Sequence, residues 1–111
     1  MEKAGKYIEV NKRNDKVKIR AGDIIYAEVY NHRVIAHTCD DSISFYGQLN
    51  DLEARLDDSF YRVGRLYLVN ISCIERIDGL EIFFINGDKV RIPRRRYSDF
   101  VDAYLEFKSK I

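Results

Sequence analysis

Short stretches in which apolar and polar residues alternate dominate the chain, and this pattern is typical of β-strands. The stretches are rich in isoleucine, valine and tyrosine and are separated by turn-forming residues; they are 7–10, 16–20, 24–30, 34–38 and 42–46. Asn14-Asp15 is expected to form a turn, and Asn31-His32-Arg33 is expected to form a hairpin tip. The first half of the chain therefore predicts antiparallel β-structure.

Two further hairpins are predicted in the second half of the chain. Asp78-Gly79 and Asn86-Gly87 each lie between apolar stretches. These dipeptides suit type I′ turns, in which both central residues have positive φ. We therefore expect residues 66–92 to form a three-stranded meander.

Helical spacing occurs in two places. Within 48–57 the apolar positions are three and four residues apart, and the same spacing recurs within 97–109. Pro93, the only proline, is expected to separate the last strand from the second helix. The predicted fold is mainly β, an elongated stack of small antiparallel sheets with a short central helix and a C-terminal helix. Residues 1–6 are expected to be a linker or cut end, and residues 7–111 a single domain.

Composition narrows the functional classes. The chain has 111 residues, of which 46% are hydrophobic and 33% charged, as in globular domains. No apolar run reaches the roughly 18 residues that would indicate a membrane span, and no signal peptide is recognisable, so an intracellular, cytoplasmic protein is expected. Residues 1–60 carry 9 basic and 11 acidic side chains (−2), and residues 61–111 carry 10 and 7 (+3). The net positive charge of residues 61–111 therefore makes the arginines in this half candidate functional residues.

The stretch FYRVGRLYLVNI (60–71) places two arginines before a run of large apolar residues. In one continuous strand, Arg65 would share a face with Val63 and Tyr67, and burial of an unpaired guanidinium there is costly. A break at Gly64 avoids this cost, so we expect residues 62–65 to form a loop and the strand to begin at Leu66. Together with the arginine run 94–96 and the tip at His32-Arg33, three loops then carry cations.

The sequence also offers two other interpretations, an enzymatic or metal site and a protein-binding module. His32, His37 and Cys39 form an H-x4-H-x-C grouping that could belong to a metal site or a Cys–His nucleophile pair. No fourth ligand or orienting group is evident, so neither a metal, a cofactor nor an enzymatic activity is predicted. Both cysteines are expected to be reduced and mostly buried. Alternatively, the chain could be a protein-binding β module that pairs through an exposed strand edge.

Residues 60–70 resemble the F-x-R-x-H-R-S-Y-L-V-N signature of LytTR domains, the DNA-binding output domains of bacterial response regulators. The resemblance extends in register over about residues 7–107. IIYAEVYNHRVIAHT resembles the family's I-x-Y-x-E segment and hairpin, residues 48–56 its short L-x-x-L-E-x-x-L helix, and IPRRRY its closing I/V-x-S-R-x-Y element. Gly64 and Leu66 depart from the family, which has His and Ser at these positions.

The resemblance implies an elongated β fold that binds duplex DNA through loops in the major groove. By position it implies base contacts from His32, Arg65 and Arg95. Phosphate contacts are expected from four further arginines, namely Arg33, Arg62, Arg94 and Arg96. It also implies that a receiver domain is missing from this chain, and that two copies bind direct repeats, as a homodimer on DNA. Asn70 fits the signature, but a structural role is expected for it because it lies within an apolar strand.

Overall fold

A computed structural model of the chain describes residues 6–110, so the predicted linker lies outside the described residues except for Lys6. That residue is attached to the fold: its carbonyl accepts a hydrogen bond from the Ala21 N–H (2.8 Å) and its Nζ donates to the Arg55 carbonyl (3.1 Å). The described residues extend over 41 × 35 × 24 Å. No helix among them is long and apolar enough to cross a bilayer.

The described residues form three antiparallel sheets. The strands are β1 (Tyr7–Lys12), β2 (Asp15–Arg20), β3 (Tyr26–Tyr30), β4 (Arg33–His37), β5 (Ser42–Phe45), β6 (Phe60–Val63), β7 (Tyr67–Asn70), β8 (Ile74–Asp78), β9 (Glu81–Phe84) and β10 (Lys89–Arg91). The helices are α1 (Leu49–Ala54) and α2 (Tyr97–Ser109). The sheet orders are β1-β2, β5-β4-β3-β7-β6 and β10-β9-β8. This architecture confirms the predicted stack of small antiparallel sheets with two helices.

The five-stranded sheet separates two hydrophobic cores because neighbouring residues on a strand point to opposite faces. On β7, Leu68 packs with the β1–β2 sheet and α1, whereas Val69 packs with the three-stranded sheet and α2. On β3, Ala27 and Tyr26 divide in the same way. Because both faces are covered, these strands are apolar on both sides.

The predicted three-stranded meander forms, but it spans 74–91 and not 66–92, because the first predicted strand includes residues of another sheet. Residues 67–70 pair with β6 and β3 in the five-stranded sheet, and the meander comprises only β8, β9 and β10. The chain changes sheet through a 3-10 turn, Ile71–Cys73. Asn70 starts this turn: its side-chain oxygen accepts hydrogen bonds from the Ser72 N–H (3.0 Å) and hydroxyl (2.6 Å), and its amide donates to the Ile24 carbonyl (2.9 Å). The buried Asn70 therefore has the predicted structural role.

Both glycine-containing hairpins form, but neither has the predicted type I′ turn. Asp78 pairs with Glu81 and remains in β8, so that Gly79 alone has positive φ (62°) in a Gly79–Leu80 turn. The second hairpin has a four-residue loop, 85–88, in which Gly87 has φ 95° and its N–H donates to the Phe84 carbonyl (3.0 Å). In the first hairpin the turn is shifted by one residue along the chain, and in the second the strands end before they reach the dipeptide.

The type I′ geometry occurs instead at the tip between β3 and β4. Tyr30 pairs with Arg33, and the two residues between them have positive φ, Asn31 at 55° and His32 at 65°. Positive φ is uncommon for residues other than glycine, although asparagine, aspartate and histidine adopt it more often than the rest. Arg33 is thus the first residue of β4 and not part of the loop.

Candidate nucleic-acid interface

The turn between β6 and β7 is fixed from two sides. Gly64 has φ 73°, and a Cβ atom added there would lie 3.4 Å from Cγ of Pro93. On the other side, the Leu66 carbonyl accepts a hydrogen bond from the Val29 N–H (3.0 Å). The chain does break at Gly64 as predicted, and glycine allows the turn to approach Pro93 closely. Arg65, which follows it, is therefore held between β3 and the segment around Pro93.

A cleft of about 410 Å³ lies between this turn and the segment that links β10 to α2. Four arginines line it, and we call it the arginine cleft; they are Arg65, Arg91, Arg95 and Arg96. Its other walls are partly apolar and include Leu66 and Pro93. Two segments that are about 25 residues apart in the sequence thus contribute cations to one surface.

The guanidinium groups of the arginine cleft form no hydrogen bond or ion pair with any side chain or carbonyl of residues 6–110. A group of guanidinium side chains that form no ion pair with the described residues favours the binding of an anion, because opposite charges attract. Arginine also presents a planar set of donors that matches phosphate oxygens and the edge of guanine. The chemistry of the cleft therefore fits a polyanion.

Arg91 is a cleft residue that the sequence analysis missed. It lies on β10, where Lys89 and Arg91 are exposed and Val90 is buried. The alternation of lysine, valine and arginine immediately before the 94–96 run could have indicated that Arg91 faces outward. Arg94, by contrast, is exposed but does not line the cleft.

A second cleft, of about 360 Å³, contains His32 and lies beside the first. Gln48, Asn50 and Arg62 also line it, so it separates the β3–β4 tip from the start of α1. The residues that line the two clefts are in contact: Arg62, which lines the second cleft, donates from Nη2 to the carbonyl of Arg65, which lines the first (3.2 Å). The Val29–Leu66 hydrogen bond joins the same two regions through the backbone. His32 and Arg65 consequently lie at the same end of the five-stranded sheet, and Arg95 lines the arginine cleft with Arg65.

Arg62 differs from the cleft arginines because its charge is already engaged. It lies in β6, not in the predicted loop, and its Nη1 donates to Asn50 Oδ1 (2.5 Å) and Glu53 Oε1 (3.2 Å). Its Nε is buried and has no partner within the described part of the chain. Arg62 thus holds α1 against the 64–66 turn, and the predicted phosphate contact would be an additional role.

Arg33 is also held within the protein, although by neutral groups. Its Nη2 donates to the Tyr46 hydroxyl (3.0 Å), and its guanidinium carbon lies 4.8 Å from the centre of the Tyr46 ring. These contacts orient the side chain but leave its charge uncompensated, so a phosphate remains a compatible ligand.

The H-x4-H-x-C grouping does not converge. Both ring nitrogens of His37 have partners, Nε2 with Glu28 (2.5 Å) and Nδ1 with Ser42 (2.8 Å), whereas His32 lies at the other end of β4. No group of three or more potential metal-ligating side chains occurs among residues 6–110. Cys73 is buried as predicted, and burial raises the pKa of its thiol, but Cys39 is exposed, which corrects the prediction for that residue.

The comparison with protein families agrees with this geometry. The sequence model of the LytTr DNA-binding domain matches residues 14–104, which is most of the chain. The chain therefore belongs to the LytTR family of DNA-binding domains.

Similar proteins of known identity are the accessory gene regulator proteins A of two staphylococci. The protein from Staphylococcus epidermidis is 36% identical over 85 residues and that from Staphylococcus aureus is 37% identical over 85 residues. Each alignment covers 73% of this chain but only 35% of the relative, so the chain corresponds to about a third of their length. The structure of the LytTr DNA-binding domain of a Bacillus cereus response regulator shares the fold, with a TM-score of 0.76 at 19% identity, and the match covers 87% of this chain and 94% of that one.

Proposed function

We infer that this domain binds duplex DNA in a sequence-specific way as the output domain of a bacterial transcription regulator. Membership of the LytTR family supports DNA binding in transcription regulation. The observation that carries the more detailed proposal is the arginine cleft, where four guanidinium groups without partners among residues 6–110 come from two distant segments to one surface beside the His32 tip. The family consists of DNA-binding domains, and no catalytic role is proposed.

In the proposed complex, the β3–β4 tip and the arginine cleft enter neighbouring parts of the major groove. His32, Arg65 and Arg95 contact base edges, because a guanidinium can donate two hydrogen bonds to O6 and N7 of guanine. Phosphate contacts come from the surrounding cations, Arg33, Arg91, Arg94 and Arg96. Such contacts position the domain but carry no sequence information. Arg62 stabilises the proposed DNA-binding surface through its contacts with Asn50 and Glu53. It contributes less to DNA affinity than these arginines, because Glu53 already neutralises its charge.

The wider assignment rests on the relatives, which are about three times as long as the matched segment. In it, the domain follows a receiver module, acts in the bacterial cytoplasm, and binds direct repeats as a pair of copies. Phosphorylation of the receiver would then increase affinity by joining two domains on one DNA molecule.

The test begins with selection of binding sites from a pool of random duplexes, followed by fluorescence anisotropy titrations on the selected duplex. Arg65→Ala and Arg95→Ala should each weaken binding to this duplex and relax the preference at one base pair. Arg94→Ala should weaken binding to selected and random duplexes equally and reduce the slope of log affinity against log salt by about 0.9. Lys18→Ala is the control, because Lys18 is an exposed cation on β2 outside both clefts.

Two results would contradict the proposal. One is a pool in which no sequence is enriched. The other is an unchanged DNA affinity in both Arg65→Ala and Arg95→Ala, which would favour a protein-binding module that uses the same cations.

A further inference from the structure

Leu66 is a large apolar side chain in an unusual place. It is 53% exposed, and it lines the arginine cleft together with four guanidinium groups that have no partner in the part of the chain that the structure describes. Single exposed leucines are common on protein surfaces, but this one lies on the surface that is proposed to meet DNA. Its backbone is fixed, because its carbonyl accepts the Val29 N–H. The side chain is therefore presented from a rigid turn.

We propose that Leu66 reads a thymine by contacting its C5-methyl group, next to the guanine that Arg65 contacts. This inference rests on the proposed function. In the major groove, thymine displays a methyl group, while the functional groups that distinguish the other bases there are hydrogen-bond donors and acceptors. A leucine cannot satisfy those donors and acceptors, and it would separate them from water at a cost. Leu66 therefore favours thymine and disfavours the other bases at the same position.

The adjacency to the Arg65 contact follows from dimensions. Consecutive Cα atoms are about 3.8 Å apart, and successive base pairs are about 3.4 Å apart along the duplex. Two neighbouring side chains on one tight turn thus reach the same base-pair step or the next one. The 64–66 turn cannot move far from this geometry, since Gly64 packs against Pro93.

The experiment removes only the methyl group from the DNA. The duplex selected by the wild-type domain is synthesised with each thymine replaced in turn by deoxyuridine, which lacks the C5-methyl and keeps both hydrogen-bonding edges. At one thymine within two base pairs of the guanine read by Arg65, the wild-type affinity should fall about fourfold, as expected for the burial of one methyl group. Replacement of the other thymines should change affinity by less than twofold.

The protein variants identify the partner of that methyl group. Leu66→Ala should bind the thymine and deoxyuridine duplexes equally well, whereas Leu66→Met, which keeps an apolar side chain, should retain most of the discrimination. Leu105→Ala is the matched control, because Leu105 is 58% exposed on α2 and does not line the cleft. Thermal unfolding should give the same Tm for Leu66→Ala and wild type, since Leu66 is largely outside the core.

The results distinguish failure of the proposed DNA recognition from failure of the Leu66 proposal alone. If no duplex is enriched, or if Arg65→Ala and Arg95→Ala bind like wild type, DNA recognition by this surface is refuted and the thymine contact with it. If DNA binding depends on those arginines but no single methyl group matters, or if Leu66→Ala still distinguishes thymine from deoxyuridine, only the Leu66 proposal is overturned.

Discussion

Arg62 and Arg65 lie three residues apart, and the structure predicts opposite consequences for their replacement by alanine. Arg62→Ala removes hydrogen bonds to Asn50 and to the Arg65 carbonyl, and an ion pair with Glu53. Arg65→Ala removes a side chain that has no partner within the described structure. The two replacements therefore distinguish a residue that stabilises the proposed DNA-binding surface from a residue that contacts DNA.

The magnitude for Arg62→Ala follows from its contacts. Hydrogen bonds of this kind contribute about 0.5–1.5 kcal/mol each to stability. The ion pair adds little, because the Glu53 side chain is 43% exposed and solvent screens it. A loss of about 1–2 kcal/mol is expected, which corresponds to a Tm lower by roughly 4–8 °C for a domain of this size. Arg65→Ala should change the Tm by less than about 2 °C.

DNA affinity should show the reverse order. Loss of a bidentate contact to guanine costs about 1–3 kcal/mol, so Arg65→Ala should bind the selected duplex roughly 5- to 150-fold more weakly. At a temperature where both variants are folded, Arg62→Ala should lose less affinity than Arg65→Ala. Differential scanning fluorimetry and anisotropy titrations on the same protein samples measure both effects. A large fall in Tm for Arg65→Ala, or a larger affinity loss for Arg62→Ala, would refute this division of roles.

Three other replacements test features of the fold and the site. Asn70→Ala leaves the Ile24 carbonyl and the Ser72 N–H without their partners in a buried position, so urea unfolding should show about 2–4 kcal/mol less stability; an unchanged midpoint would contradict the structural role. His32→Gly relieves the positive φ of residue 32 while removing its side chain, so the Tm should not fall although DNA affinity does, and a lower Tm would contradict this reasoning. Burial raises the pKa of Tyr26 from its ordinary value of 10.0, so its contribution to stability is complete below pH 10 and is lost as the pH rises further. Tyr26→Phe should reduce the loss of stability between pH 9 and 11 in denaturant titrations, and an equally steep loss would show that other groups cause it.

Local features of the sequence predicted much of the fold. The apolar spacing within 97–109 predicted a helix at the positions of α2 (Tyr97–Ser109), and the break at Gly64 followed from the cost of burying Arg65. Both properties depend on interactions within a few residues. The turn types depended on how far the strand pairing continued on either side, so a dipeptide alone could not determine them.

The candidate site was predicted only in part, because a side chain's function depends on its neighbours in space. Arg62 and Arg65 both belong to the stretch 62–65 that was predicted to be a loop, yet only Arg62 forms an ion pair with Glu53, which lies on α1. Arg91 was missed because its importance comes from Arg65, which lies on the opposite side of the cleft.

The sequence by itself determined the antiparallel β class, the two helices and the arginine-bearing segments, since hydrophobic periodicity and backbone preferences are local. Only the tertiary structure decided which sheet β7 joins and which arginines have partners within the protein. The physical reason is that burial, ion pairing and charge repulsion depend on distances between groups that are far apart in the chain. Those distances exist only after the sheets have packed on one another.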